Sequence, residues 1–457
     1  MSVKRFLLWF VALGMSSNLL YSMLYAQGIR AGRPSGSNAL KHLSGLSPVP
    51  FPQSTQVFER TGNLKQDILD RVAYLSQDQN QYRVPSSNDL DVWRQVIDTI
   101  YSGSLTTAAN LVQGIAPSYK VVKFTDTSSG SARLYYLLLE ANVTATDISP
   151  IAESGWGVYI FDPQPVRDLA ISVPHPKADA YTEAEGIEAL INLRAKWLLL
   201  SSSHRCASDA LSPCNGSSTA CSDGRLHVSD ASHGASPSAP SVTNTFQVAH
   251  EELAKLSTTT VVIQFHGNST CSSNFVLGNG GSNYRLIPDG NVYRLKRNLA
   301  GVSSDIQLCD HTPGASECDM CGTTSLQARY FNGSMANPCQ NSAPAPTTIE
   351  RFIHVEQTLP MRQDQLNRQR IIQAIANTAF IQPSSSSSVC ITVSASGPTW
   401  QSIALGSRQT QVFTAEIDAT PLGTGIDAGV ALANGPQAVF TGLACIARFN
   451  ASGTIDV

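Results

Sequence analysis

Charge is scarce in this chain of 457 residues: 14% of positions are Asp, Glu, Lys or Arg, against about 25% in an average domain. With 31 basic and 34 acidic side chains and a formal net charge of −3, no basic field exists to hold a phosphate backbone, which argues against a nucleic-acid partner. Aromatic residues are few as well, at 7%; sugar-binding platforms usually need exposed rings. After the first 26 residues no apolar run reaches bilayer-spanning length, so no stable membrane span is expected. A Gly-x-Ser-x-Gly elbow is missing, which argues against a serine hydrolase. The tract Gly278-Asn279-Gly280-Gly281 is followed by neither Lys-Ser/Thr nor a helix start, so it is a turn rather than a phosphate loop. The apolar share of 42% is ordinary, and the length accommodates two or three domains with a sizeable core.

The first 26 residues have a basic start (Lys4, Arg5), an apolar stretch over 6–13 and the sequence Leu24-Tyr25-Ala26 before Gln27. They read as a secretory signal peptide, because Gly14, Ser16, Ser17 and Asn18 interrupt the hydrophobicity. The implied location is secreted, extracellular or periplasmic. All ten cysteines lie after this segment, and an even number in an oxidising compartment implies disulfides. Asn142, Asn215, Asn268, Asn332 and Asn450 stand in Asn-x-Ser/Thr sequences, glycan acceptors in a eukaryotic host.

The expected organisation is a Pro/Ser-rich lead-in over 27–60, an α/β domain over 61–382 with a helical start, a Ser linker at 383–388 and a β-sandwich module over 389–457. In that module Cys390 pairs with Cys445, Trp400 is the sole Trp, and the final Ile455-Asp456-Val457 reads as a strand cut short. Cell-surface or glycan contact is the expected use of the module. Helical spacing of apolar residues occurs over 64–75 and 90–100, followed by strands at YKVVKF, ARLYYLLLEANV and GVYIFDP. Next LAISV (169–173), KWLLLSS (196–202) and TVVIQF (260–265) alternate with helices over 182–194 and 244–256. This implies a mixed, largely parallel sheet with helices on both faces. Thr182-x-x-Glu185 reads as a capping box for the first of those helices. The Cys-bearing stretches at 205–240 and 309–339 read as disulfide-stapled surface loops, Cys318-x-x-Cys321 included. A helix follows over 362–379.

Each of the three alternating strands runs into a histidine: His175, His204 and His266. A parallel sheet turns all three towards one crevice at the carboxyl ends of its strands. A catalytic zinc needs three nitrogen or oxygen ligands and one open position. His175, a nearby carboxylate and His266 fit that count. The carboxylate is Asp179 or Glu183; Asp179, within the loop, is preferred, because Glu183 at a helix start is also explained by the helix dipole. The stretch 351–357 alternates as a strand with Phe352, His354 and Glu356 on one face, making Glu356 the candidate proton acceptor. Arg205 is a candidate for oxyanion stabilisation, and Arg362 and His204 for substrate binding. His250, in mid-helix, is expected at the surface or the core edge.

The order of these blocks resembles the zinc carboxypeptidase and poly-gamma-glutamate hydrolase group, which has a phosphorylase/hydrolase-like fold. PHPKADAYTE, SSSHRCAS, VSDASH, VVIQFHG, CDMCGTTSLQARYFNGS and RFIHVEQTLPMR resemble more closely a secreted bacterial family that branches from it. The likeness covers about 90–379. It implies zinc ligands at His175, Asp179 or Glu183, and His266, with Glu356 as base, and it makes His233 of VSDASH a pocket residue. Where carboxypeptidases carry a tight His-x-x-Glu, this chain has Lys177 and Ala178 in the interval, so specificity does not transfer. The expected function is a secreted zinc-dependent hydrolase of an amide or peptide-like bond. The alternative is a non-catalytic secreted or cell-surface binding protein on a degenerate hydrolase scaffold.

Overall fold

The structure, a computed structural model, describes residues 57–382 except 72, 78–79, 117, 144–147, 218–219, 236–243, 284, 311–317, 319, 345 and 347–348, together with 4–10, 413–419, 428–433, 443–449 and 455–456. The chain divides into two compact units, Leu46–Ser386 and Met1–Gly45 with Ser387–Val457. The described strands in chain order are β1 Lys4–Phe10, β2 Phe58–Gly62, β3 Tyr119–Asp126, β4 Arg133–Val143, β5 Ile148–Pro150, β6 Val158–Phe161, β7 Arg167–Val173, β8 Ala195–Leu200, β9 Val261–Gly267, β10 Phe275–Gly278, β11 Ile306–Leu308, β12 Phe352–Gln357, β13 Phe413–Ala419, β14 Ala428–Ala433, β15 Leu443–Phe449 and β16 Ile455–Asp456. The helices are α1 Leu64–Arg71, α2 Ser87–Tyr101, α3 Leu105–Ile115, α4 Thr182–Leu193, α5 Thr245–Leu256, α6 Asn291–Leu299, α7 Leu326–Phe331, α8 Leu359–Gln363 and α9 Gln365–Asn377.

In the unit that joins the two ends of the chain, β1 pairs antiparallel with β13, and β14, β15 and β16 form an antiparallel sheet. Most of the expected leader, the lead-in, the Ser linker and Cys390 lie outside the described residues.

The larger unit is a mixed α/β fold around an 11-stranded sheet in the order β11-β10-β12-β9-β7-β8-β6-β4-β3-β2, with β5 paired to β4. Its centre, β12-β9-β7-β8, is parallel throughout. Alternation along these strands sorts side chains to two faces. Leu169, Ile171 and Val173 of β7 and Ile353 and Val355 of β12 join a core with Ile187 and Leu190 of α4 and Ile371 of α9. Ala170, Val262 and Phe352 face the other way, onto α2, α5 and α7 through Trp93, Phe246 and Ala328. Helices therefore cover both faces.

From β7 the chain passes through α4 to β8 on one side, then through α5 back across to β9 on the other. The strand order thus reverses between β7 and β9, and a crevice opens at their carboxyl ends. Four disulfides, Cys206–Cys221, Cys214–Cys339, Cys271–Cys318 and Cys309–Cys321, tie loops of this unit. Among the described residues no helix is long and apolar enough to cross a membrane.

Three local expectations change. The capping box at Thr182 does not form: the N-cap is Tyr181, at φ 72, and makes no side-chain cap bond. Thr182 Oγ1 donates to Asp179 O, and Glu185 is buried, accepting from Gln357 Nε2 at 2.7 Å. His250 is fully buried rather than at the surface or core edge, because Phe246 O and Ser172 satisfy both ring nitrogens. Asn268 is 2% exposed, so the folded chain leaves no room for a glycan on its amide.

Candidate metal centre

His175 follows β7 in the loop leading to α4, and His266 is the penultimate residue of β9, so the reversal of strand order brings them together. Their Nδ1 atoms lie 3.3 Å apart. Asp179 Oδ2 lies 3.4 Å from His266 Nδ1 and 3.6 Å from His175 Nδ1. All three residues are buried, and Asp179 Oδ2 has no hydrogen-bond partner among the described residues.

The outer ring nitrogens set the tautomers. His175 Nε2 lies 2.9 Å from Asp230 Oδ1. Asp230 also accepts from the backbone N–H of Ser232 and His233. Burial raises the Asp230 pKa, but His233 and His175 hold it well below the usual carboxylate range. An ionised carboxylate can only accept, so His175 Nε2 carries the proton. His266 Nε2 donates to Gln264 Oε1 at 2.9 Å. That orientation of Gln264 is fixed because its Nε2 donates to Ser172 Oγ and Gln327 Oε1. In the neutral rings both facing Nδ1 atoms are therefore lone pairs.

Two lone pairs and a carboxylate oxygen at these separations repel one another unless a cation lies between them. Around a tetrahedral zinc with bonds of about 2.0–2.1 Å, ligand atoms stand roughly 3.3–3.5 Å apart. Two of the three separations, 3.3 and 3.4 Å, fall within that spacing and the third, 3.6 Å, lies just beyond it, and the donor set of two imidazoles and one carboxylate suits zinc. The residues therefore fit a metal. Burial and then His354 push the His266 pKa down to about 4, keeping the ring neutral, as a ligand must be. At His175, burial and Arg205 lower the pKa, but Asp230 and Asp179 outweigh them and raise it. At Asp179, burial raises the pKa, while His175, His266 and Arg205 pull it well below its ordinary value. His175, Asp230 and His233 form a second group of close donors. Asp230 Oδ1 is already taken by two backbone amides and His175, so this carboxylate orients His175 instead.

On the neighbouring strand, Glu356 stands opposite His266 in the parallel β12–β9 pairing. Its Oε1 accepts from His354 Nε2 at 2.9 Å, while its buried Oε2 has no partner among the described residues. The His354 ring lies 4.4 Å from that of His266. Gly322, at φ 72, lets the loop backbone close over His354, since a Cβ there would come within 2.8 Å of the ring.

The other expected site residues are distributed differently. Arg205 Nη2 donates to Asp179 Oδ1 at 3.2 Å, leaving Oδ2 directed at the histidines. Glu183 lies outside the cluster, close enough to Lys177 and Tyr74 to affect their electrostatics. Burial raises its pKa. His204 does not join His175 and His266: β8 lies on the far side of β7 from β9, one strand away from the crevice. It lines a cavity of about 390 Å³ with Tyr74, Ser76, Gln77 and Lys177. His233 sits at the edge of the site, its Nδ1 3.3 Å from Asp230 Oδ2 and its Nε2 3.1 Å from Thr324 Oγ1. Arg362 spends donors on the carbonyls of Gln357 and Ala180. Its guanidinium lies against Gly267, where a Cβ would be 2.2 Å from Cζ.

Sequence reasoning missed Asp230. Its own block, VSDASH, was the available signal. It also missed the buried chain His250–Ser172–Gln264 that fixes His266; here the signal was a Gln and a Ser within otherwise apolar strands.

No family model and no curated protein matches the chain. Among solved structures, it is similar to a crystal structure of N-formylglutamate amidohydrolase from Ralstonia eutropha JMP134. The likeness has 11% identity and a TM-score of 0.29, over 49% of this chain and 97% of that one. A likeness this slight carries no argument about function.

Proposed function

We propose that the chain is a secreted, zinc-dependent hydrolase that cleaves an amide or peptide-like bond. The observation that carries this reading is the convergence of His175 Nδ1, His266 Nδ1 and Asp179 Oδ2 at ligand spacing within a buried crevice. A zinc ion held there would supply Lewis acidity, lowering the pKa of a water and polarising a carbonyl.

The protein groups divide the remaining work. With Asp230 and Gln264 holding the opposite nitrogens, the neutral rings of His175 and His266 both present Nδ1 lone pairs. Arg205 orients Asp179. Glu356, held through one oxygen by His354, keeps Oε2 available to accept a proton from the attacking water and return it to the leaving amine. Burial of the whole set strengthens each of these interactions. Four disulfides fit an oxidising compartment. The complete donor set favours this reading over a binding protein on a degenerate scaffold.

The test is hydrolysis of a panel of peptides, gamma-glutamyl chains and cell-wall fragments at neutral pH, before and after chelation. Release of new amines that stops on chelation and returns with zinc is expected. Chelator-insensitive release, or none from any substrate, would contradict the proposal.

A further inference from the structure

Asn268, two residues beyond His266, is 2% exposed, and neither its Oδ1 nor its Nδ2 has a hydrogen-bond partner among the described residues. A buried primary amide with both ends unmatched is costly, and a bound group that offers both a donor and an acceptor would complete it.

The backbone shows which way the side chain points. The β9–β12 ladder continues past His266, because Asn268 N donates to Gln357 O at 2.8 Å. Side chains alternate along a strand. Position 267 faces Arg362 on the opposite side, as the close approach of its guanidinium shows. Residues 264, 266 and 268 therefore share one face, the face of His354 and Glu356. Asn268 stands one strand repeat, about 6.6–6.8 Å, beyond His266.

We infer that Asn268 is a substrate-positioning residue that pairs with a second amide of the substrate. This deepens the hydrolase reading above and rests on it. A side-chain amide offers one acceptor and two donors. A backbone-like –CO–NH– group answers with a donor and an acceptor, whereas a carboxylate could satisfy only Nδ2 and an ammonium only Oδ1. Two residues of extended chain span the same 6.6–6.8 Å, roughly, so the paired amide lies two units from the scissile bond. The substrate class is thus an oligomeric amide, a peptide or peptide-like chain, rather than a simple acylated amine.

The test compares two synthetic substrates that share a scissile amide: an N-acetylated tripeptide cleaved at its last peptide bond, and its analogue in which the acetyl amide, two units away, is an ester and so lacks the N–H. Wild type should prefer the all-amide substrate at least tenfold in kcat/KM, mainly through KM. Asn268→Leu should lose that preference, hold metal as wild type does and melt no lower. Asn268→Asp, which keeps an acceptor but loses the donor, should lose it in part. Equal losses on both substrates, or a lower melting temperature with unchanged turnover of folded enzyme, would overturn the inference. A binding arm uses N-acetylglycine methylamide followed by NMR. If wild type binds this probe and Asn268→Leu does not, while no substrate is hydrolysed, the hydrolase reading fails and the amide site stands. If wild type hydrolyses amides but does not bind the probe, the amide site fails alone.

Discussion

Asp230 holds the outer nitrogen of His175 at 2.9 Å, and in the neutral ring this single bond turns the lone pair of the other nitrogen towards His266 Nδ1, 3.3 Å away. The loop that carries this carboxylate is pinned from outside: Asn244, the N-cap of α5, donates through Nδ2 to the backbone carbonyls of Asp230 and Gly234 while its Oδ1 accepts from Gln247 N. A helix start thereby positions a loop, the loop orients an imidazole, and the imidazole faces the crevice.

Asp230→Asn keeps the shape and the backbone contacts but removes the charge behind His175. Metal affinity should fall by roughly 10–100-fold, the usual effect of losing an outer carboxylate. Competition with a chelator of known affinity measures it; an unchanged constant would show that Asp230 does not tune the site.

Asp179→Ala should abolish tight metal binding, whereas Glu183→Ala should leave it intact without lowering the melting temperature, because burial already disfavours the Glu183 charge. Metal content and melting temperature of the two variants separate these outcomes. The reverse pattern would move the ligand to Glu183.

Glu356→Gln should retain metal and melt near wild type, while turnover falls by about 10²–10⁴. Metal loss in this variant would make Glu356 a ligand. Unchanged turnover would assign the proton to another group.

Burial pushes the Glu185 carboxyl up from 4.5 to about 8. Between those values the folded chain keeps a proton that the unfolded chain has released. This contribution is present in full below about pH 4.5 and is lost as pH rises through about 8, with a slope of roughly 1.4 kcal/mol per pH unit. Glu185→Gln should remove that slope and leave the variant more stable than wild type at pH 8. Denaturant titrations from pH 5 to 8 measure both curves, and parallel curves would contradict the shift.

Much of the central fold is legible because its strands are short apolar runs between helices of ordinary length: β7, α4, β8, α5 and β9 all stand where periodicity predicts them. Sheet order is not written in periodicity. His204 looks equivalent to His175 and His266 until β8 is seen to lie beyond β7. Asp230 hides for a related reason: its loop is placed by Cys206–Cys221, Cys214–Cys339 and Asn244, all acting from elsewhere in the chain. Thr182-x-x-Glu185 fits a capping pattern, but Glu185 lies on the buried face of α4 and bonds to Gln357. Tertiary burial there overrides a local motif.

The central claim is that His175, Asp179 and His266 hold one metal ion, and elemental analysis of the purified protein after zinc loading and exhaustive dialysis tests it most directly. About one zinc per chain is predicted for wild type, and none for His266→Ala with an unchanged circular dichroism spectrum. A wild type without metal, or a His266→Ala variant that holds as much as wild type, would contradict the account.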